Sequence, residues 1–324
     1  MDIQSRIIGC GSYLPGDPVY NHMLEEKIDT TDEWIKTRTG ISQRHYAANN
    51  EFTSDMALVA SQRAIEHAGI NGRDIDLIVV GTTTPDRTFP ATAVRLQKSL
   101  GCKTGAAFDV QAVCSGFIYA LSIVNSMIKT GQCKKALVVG ADTLSRLLNW
   151  EDRTTCVLFG DGAGAVVLEA CRVDPRESKS GIISTHIHSD GNYEELLYCD
   201  GGPSTNQTAG FIKMEGKEVF KHAVNNLASV VKEILNENKL EPEEVDWLVP
   251  HQANKRIIES TAKKLKMPMS KVILTVDMHA NTSAASIPLA LDYGIKNEKI
   301  KSGDLILMEA MGGGLTWGAS LVRM

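Results

Sequence analysis

The 324-residue chain reads as an α/β protein made of two similar halves. Three observations predict this. Short β-branched runs ending in glycine or a small polar residue alternate with helical stretches. A helix, an acidic loop and a buried strand follow one another twice along the chain. No Gly/Ser-rich tract separates the two copies, so they are expected to pack together rather than swing on a tether.

In chain order, Ser54 to Val80 supplies the first helix, loop and strand, the last reading Asp76-Leu-Ile-Val-Val80. Phe108-Asp-Val-Gln-Ala-Val-Cys114 is a strand that gives way directly to an apolar helix, and Ala136-Leu-Val-Val-Gly140 is another buried strand. Val219 to Pro250 repeats the helix, loop and strand, ending Asp246-Trp-Leu-Val-Pro250. Val276-Asp-Met-His-Ala-Asn281, with the apolar stretch after it, matches the Cys114 segment, and Leu305 to Ala310 is a last buried strand. Cys114 lies 38 residues beyond Asp76 and Asn281 lies 35 beyond Asp246. That pairing predicts that Cys114 and Asn281 face each other across a pseudo-dyad, where clefts favour ligands. The polar, aperiodic stretch near residues 171–180 sets the boundary, giving a half over 1–175 that carries the cysteine and a half over 176–324 that carries His251 and Asn281.

Composition excludes several classes. With 43% hydrophobic and 23% charged residues the chain is ordinary globular material, and a net charge of −5 gives no global sign of nucleic-acid or anionic-membrane binding. Seven cysteines, without a CxxC pair or Cys/His ligand spacing, argue against a disulfide framework and against a metal site. The N-terminus shows no leader and no run approaches the roughly 18 apolar residues of a spanning helix, so a cytoplasmic protein is expected.

Cys114 sits where a helix begins. Unpaired N–H groups and the positive end of the helix dipole favour a thiolate there, which can bring a cysteine from about 8.5 down to about 3.5–7.5. His251, in Val249-Pro-His251-Gln-Ala-Asn254, stands just beyond a strand, and Asn281 ends another. A neutral imidazole N–H beside an amide N–H can donate two hydrogen bonds to a carbonyl oxygen that gains negative charge while a cysteine does the nucleophilic work. Phe159-Gly-Asp-Gly-Ala-Gly164 lacks the G-x-G-x-x-G spacing of a nucleotide loop and reads as tight strand packing. Asn254 to Lys266 carries five basic residues and one acidic one, a local charge of +4.

The segments Thr31-Asp-Glu-Trp34-Ile-Lys-Thr-Arg38-Thr-Gly-Ile-Ser-Gln-Arg44, Ala112-Val-Cys114-Ser-Gly-Phe, Phe159 to Gly164, His251-Gln-Ala-Asn254-Lys-Arg256, His279-Ala-Asn281-Thr-Ser-Ala-Ala-Ser and Gly312-Gly-Gly-Leu-Thr-Trp-Gly318 together resemble β-ketoacyl-acyl-carrier-protein synthase III, in that family's order and over nearly the whole chain. The resemblance implies the thiolase-like fold, two α/β halves in five αβαβα layers, and a homodimer. It implies a decarboxylative condensation that starts type II fatty-acid synthesis: an acyl-CoA, commonly acetyl-CoA, acylates Cys114, and malonyl-acyl carrier protein then gives 3-ketoacyl-carrier protein, carbon dioxide and CoA. By the same resemblance, N–H groups of Cys114 and Gly313 form the oxyanion hole, and His251 and Asn281 hold the malonyl carbonyl. Thr30, Trp34, Arg38, Arg153 and Asn254 bind CoA, while Gln252, Lys255 and Arg256 meet the acidic carrier protein. Phe89, lent by a partner subunit, and Met311 shape the acyl pocket. No cofactor and no metal is implied. Met311 and Leu315 stand where relatives often carry aromatics, which bears on the primer. Rival readings are a papain-like cysteine hydrolase, which lacks its Cys-Gly-Ser-Cys-Trp signature here, a thiolase with a second catalytic cysteine, a chalcone-type synthase, and a catalytically dead acyl-binding protein.

Overall fold

The protein, seen in a computed structural model, is described over residues 2–102, 105–173 and 180–324. The expected boundary between residues 175 and 176 lies outside these. One sheet contains β1 (Asp2–Tyr13), β2 (Leu77–Gly81), β3 (Ala106–Val110), β4 (Lys135–Thr143) and β5 (Asp161–Val173), in the order β1-β5-β4-β2-β3. The other contains β6 (Gly181–Ser189), β7 (Trp247–Pro250), β8 (Leu305–Gly312) and β9 (Thr316–Arg323), in the order β7-β8-β9-β6. In the first, β2 pairs parallel with β3 and β4, and β5 pairs antiparallel with β4 and β1. In the second, β7 and β8 are parallel, while β9 is antiparallel to β8 and β6.

The principal helices are α1 (Asp32–Thr39), α2 (Thr53–His67), α3 (Thr92–Ser99), α4 (Gly116–Lys129), α5 (Gly216–Asn238), α6 (Lys255–Lys264) and α7 (Ser286–Lys296). Helices α4 and α7 touch strands of both sheets, α2 and α3 lie against the first, and α5 backs the second with α6 beside it. This is the five-layer thiolase-like arrangement. The middle layer explains the sequence of α4: a helix packed between two sheets is apolar over most of its surface, and Phe117, Ile118, Ala120, Leu121, Val124 and Ile128 are fully buried while Ser126 and Lys129 stay exposed. Each large side chain among them contributes about 1.5–3 kcal/mol by burial. Strands β2 and β8 are covered on both faces and accordingly read as unbroken apolar runs, apart from Glu309.

Glycines set how closely the layers approach. A Cβ at Gly164 would lie 2.7 Å from Pro288 Cβ, and one at Gly140 would lie 2.1 Å from the carbonyl oxygen of Ala284. The Phe159–Gly164 run is therefore close packing against α7, as its spacing predicts.

The repeat is real, and its register differs from the sequence expectation. Asp76 caps the start of β4 through the N–H groups of Lys134 and Lys135, and Asp246 caps β8 through that of Leu305. A 3-10 turn at Val113–Ser115 leads into α4, and one at Ser283–Ala285 leads into α7. Val113 and Ser283 both hold a left-handed φ, 50° and 51°. Ala284 follows Asp246 by 38 residues, the interval that separates Cys114 from Asp76. The counterpart of Cys114 is thus Ala284, and that of Asn281 is Gln111. Strand ends misled the alignment because the second half has no full counterpart of β3: a single parallel bridge, Leu248 to Val272, and the helical turn Val276–His279 stand in its place.

Candidate active site

Cys114 sits in the turn between β3 and α4 and is 4% exposed. The β-branched Val113 before it, forced to φ 50°, stores strain beside the thiol, and Ala280 at φ 57° does the same beside Asn281. Glycine makes the approach possible. A Cβ at Gly312 would stand 2.7 Å from the backbone nitrogen of Cys114. Gly312, the last residue of β8, therefore lies against the turn that leads into α4.

Here one expectation fails. Burial pushes the Cys114 thiol up to about 12. The Ser283 hydroxyl works against the rise, the buried Asp142 carboxylate adds to it, and the cysteine's own N–H draws it down. A helix terminus contributes about half a unit charge, and in this closed site desolvation outweighs it. At neutral pH such a group is a thiol, not a thiolate.

His251 follows β7, where its N–H donates to the carbonyl of Glu309 at 2.8 Å. It is buried, and desolvation lowers its imidazole to about 3, so the ring is neutral. The Gln252 N–H donates to Ser286 Oγ at 3.3 Å, and the same oxygen lies 2.6 Å from His251 Nδ1. With Ser286 accepting from Gln252 and donating to Nδ1, the hydrogen of the neutral ring stays on Nε2, a donor. Asn281 is fixed in the same manner. Its Oδ1 accepts the Ser283 N–H at 2.9 Å, which assigns the amide orientation and leaves Nδ2 as a donor. The turn at 281–286 thus reaches all three residues: the buried Ser283 hydroxyl lies near the Cys114 thiol without a hydrogen bond of its own, Asn281 heads the turn, and Ser286 orients His251. Glu309, buried with Oε2 unpartnered, is pushed up to about 8 by burial and stays protonated at neutral pH.

Farther out, Thr31 caps α1 by accepting the Trp34 N–H at 3.1 Å, which places Trp34 and Arg38 one turn apart on one face. The Arg38 and Arg153 guanidinium carbons lie 4.7 and 5.2 Å from the Trp34 ring centroid. Asn254 donates to the Arg38 carbonyl at 3.2 Å and caps α6 by accepting the Arg256 N–H at 2.8 Å. Thr30 is buried with its hydroxyl unpartnered. The five residues expected to hold CoA therefore include one mutual cluster of Trp34, Arg38, Arg153 and Asn254. Along α6, Lys255, Arg256, Lys263 and Lys264 are exposed, and Lys266 just past its end is exposed as well.

Gln252 departs from expectation. It is fully buried, its Nε2 donates to the carbonyls of Pro250 and Ile273, and its Oε1 accepts the Thr275 N–H. Its amide is used up inside the protein and is not available to a carrier. Phe89 and Met311 are not brought together: Phe89 is 82% exposed, while Met311 is buried with Val219, Ala223, Leu227, Ile257 and Leu315. A cavity of about 950 Å³ opens between the Thr82–Thr88 segment and the loop at 199–209, and none of Cys114, His251 or Asn281 lines it. Sequence reasoning missed Ser283, Ser286 and Glu309. Glu309 carried a signal, a lone acid inside Leu-Ile-Leu-Met-Glu-Ala; the serines carried none beyond their spacing.

A buried cysteine at a helix start, a neutral histidine and an amide donor, carried by two packed halves of this topology, define a thiolase-fold condensing enzyme. Comparison with known proteins gives the rest. Residues 108–191 match the family model for 3-oxoacyl-[acyl-carrier-protein (ACP)] synthase III, and residues 235–324 match the model for its C-terminal part. A β-ketoacyl-[acyl-carrier-protein] synthase III of Paramagnetospirillum magneticum is 60% identical over 324 residues, covering 100% of both chains. The solved 3-oxoacyl-[acyl-carrier-protein] synthase III of Aquifex aeolicus superposes with a TM-score of 0.93 at 49% identity, covering 99% of this chain and 100% of that one. That of Pseudomonas aeruginosa gives 0.92 at 39%, covering 99% and 98%. The chain belongs to the β-ketoacyl-[acyl-carrier-protein] synthase III family and is an acyltransferase of fatty-acid biosynthesis, catalysing the initiating condensation.

Proposed function

We propose that Cys114 takes an acyl group, commonly acetyl, from an acyl-CoA primer, and that His251 and Asn281 then hold the carbonyl of malonyl-acyl carrier protein while it loses carbon dioxide and attacks the acyl-cysteine. The observation that carries this division of labour is that both donors are pre-set, Nε2–H on His251 and Nδ2 on Asn281, while His251 is hydrogen-bonded to Ser286 and not to the thiol. In acylation the thiol gives up its proton as sulfur attacks the thioester carbonyl, and CoA leaves as the thiol. The tetrahedral oxyanion is held by N–H groups of Cys114 and Gly313. In condensation, the electron pair left by carbon dioxide becomes an enolate on the malonyl oxygen, then forms the new C–C bond and expels the cysteine sulfur. The donors act where charge develops, each supplying about 2.7–4 kcal/mol. These steps call on no organic cofactor or metal.

The CoA adenine slides between Trp34 and Arg153, with Arg38 on the phosphates and Thr30 and Asn254 along the ligand. An indole face stacked by cations suits a flat base, and arginine suits phosphate. The carrier docks on α6 through Lys255 and Arg256, acidic surface against basic. A second copy of the chain lends its Phe89 to the acyl pocket beside Met311. Seven free cysteines suit the reducing cytoplasm. Among the described residues, no helix is long and apolar enough to cross a membrane.

Intact-mass spectrometry tests the scheme. Acyl-CoAs of increasing length should add one acyl group to the wild type and none to Cys114→Ala, and malonyl-carrier protein should discharge it. His251→Ala and Asn281→Ala should still acylate but lose condensation by about a hundredfold or more. If His251→Ala lost self-acylation as completely as Cys114→Ala, the histidine would be a base on the thiol, and the scheme fails.

A further inference from the structure

On the outer side of the second sheet, two histidines and two glutamates converge. His186 and His188 alternate on β6 and so share one face, while Glu233 and Glu237 lie one turn apart on α5 above them. Glu233 spans both rings: one carboxylate oxygen is 2.7 Å from His186 Nδ1 and the other 2.8 Å from His188 Nε2. Glu237 stands 2.8 Å from the remaining nitrogen of His186. His186 therefore faces a carboxylate at both nitrogens, yet a neutral imidazole has only one N–H. One of its two contacts sets lone pair against lone pair unless a second ring proton or a metal cation stands between the atoms.

We propose that His186 Nδ1, His188 Nε2 and the Glu233 carboxylate form a binding site for a first-row divalent metal ion of the zinc class, with Glu237 orienting His186. Their ligand atoms all lie within 4.8 Å of one another. Bonds of about 2.0–2.1 Å in tetrahedral geometry would set them about 3.3 Å apart, so uptake opens each glutamate–histidine contact by about half an ångström and closes the widest pair by no more than about 1.5 Å. Two imidazoles and one carboxylate leave a fourth position for water. Glu237 supplies the carboxylate–histidine–metal relay that fixes a ligand's tautomer. The ligands are also braced: the His188 ring stacks on Trp317 with centroids 5.7 Å apart, and the His188 carbonyl accepts the Tyr119 hydroxyl at 2.7 Å. His186 is largely covered, with its side chain 11% exposed, and His188 at 37% keeps the site open to solvent. The sequence offered no ligand spacing because 47 residues separate His186 from Glu233.

Titrating the full-length chain with Zn²⁺ by calorimetry, and with Co²⁺ by visible absorption, tests this. One ion should bind per chain, with Co²⁺ bands of nitrogen and oxygen ligation and no thiolate charge-transfer band. His188→Gln and Glu233→Gln should each weaken binding by more than about tenfold, and Glu237→Gln by about tenfold, with Cys114→Ala unchanged. Circular dichroism of the variants separates lost ligation from lost folding, and Glu237→Gln, at the most exposed of the four positions, gives a second reading. Failure of the wild type to bind, equal binding by His188→Gln, or a thiolate spectrum abolished by replacing a cysteine would overturn the assignment.

Discussion

Ser286 shows how a residue outside the catalytic trio can govern it. Its hydroxyl keeps the His251 proton on Nε2, so Ser286→Ala should lower the condensation rate about fivefold, the worth of about 1 kcal/mol, while self-acylation stays intact. Measuring the two half-reactions separately checks the split. Titration behaviour at this scale was not legible in the sequence. A helix start predicted a thiolate at Cys114, whereas enclosure drives the thiol to about 12, because pKa depends on what surrounds a group in three dimensions. The self-acylation rate of the free enzyme should therefore keep rising with pH through 9. Neutral His251, at about 3, imposes no acid limb on condensation above about pH 4. By contrast, the places of Cys114 at a helix start and His251 just past a strand were legible as sequence patterns, whereas Asn281, expected at a strand end, lies between two helical turns.

Helix α6 is the element on which the proposed carrier docking rests. Reversing Arg256 to Glu should reduce kcat/KM for malonyl-carrier protein by about tenfold, with the loss shrinking as salt rises, and should leave self-acylation from acyl-CoA almost untouched. Charge on this helix could be read from the sequence, and its exposure follows from the amphipathic spacing of Ile257, Ile258, Thr261 and Ala262, which are buried. Gln252 could not be assigned that way. Its residue type suits a surface as well as a core, and only the three hydrogen bonds around its amide reveal which it serves. The same holds for the repeat. Its strands and helices were legible as periodic patterns, but its register was fixed by the two turns with left-handed residues, which leave no mark in hydrophobicity.

At the scale of the molecule, stability is limited on both sides of a mildly acidic window. Glu309 is raised to about 8 against an unfolded value of 4.5, so the unfolded chain holds fewer protons as pH climbs from about 4.5 to 8, and stability falls over that window. His251 is lowered to about 3 against 6.5, so the unfolded chain takes up a proton that the fold refuses, and stability falls as pH drops from about 6.5 to 3. Maximum stability should lie between about pH 4.5 and 6.5, and Glu309→Gln should raise the melting temperature at pH 8.5 by several degrees, as thermal unfolding across pH will show. The duplicated scaffold has a further consequence. His251 occupies in the second half the place of Gly81 in the first, and Ser286 that of Gly116. A Cβ at Gly81 would come within 2.6 Å of the Gly116 carbonyl carbon, so the contact that is bare backbone in one copy is the histidine–serine pair in the other. Ala284 has meanwhile taken the place of the nucleophile. Each twin has surrendered what its sibling keeps, and neither half, cloned alone, inherits a complete chemistry.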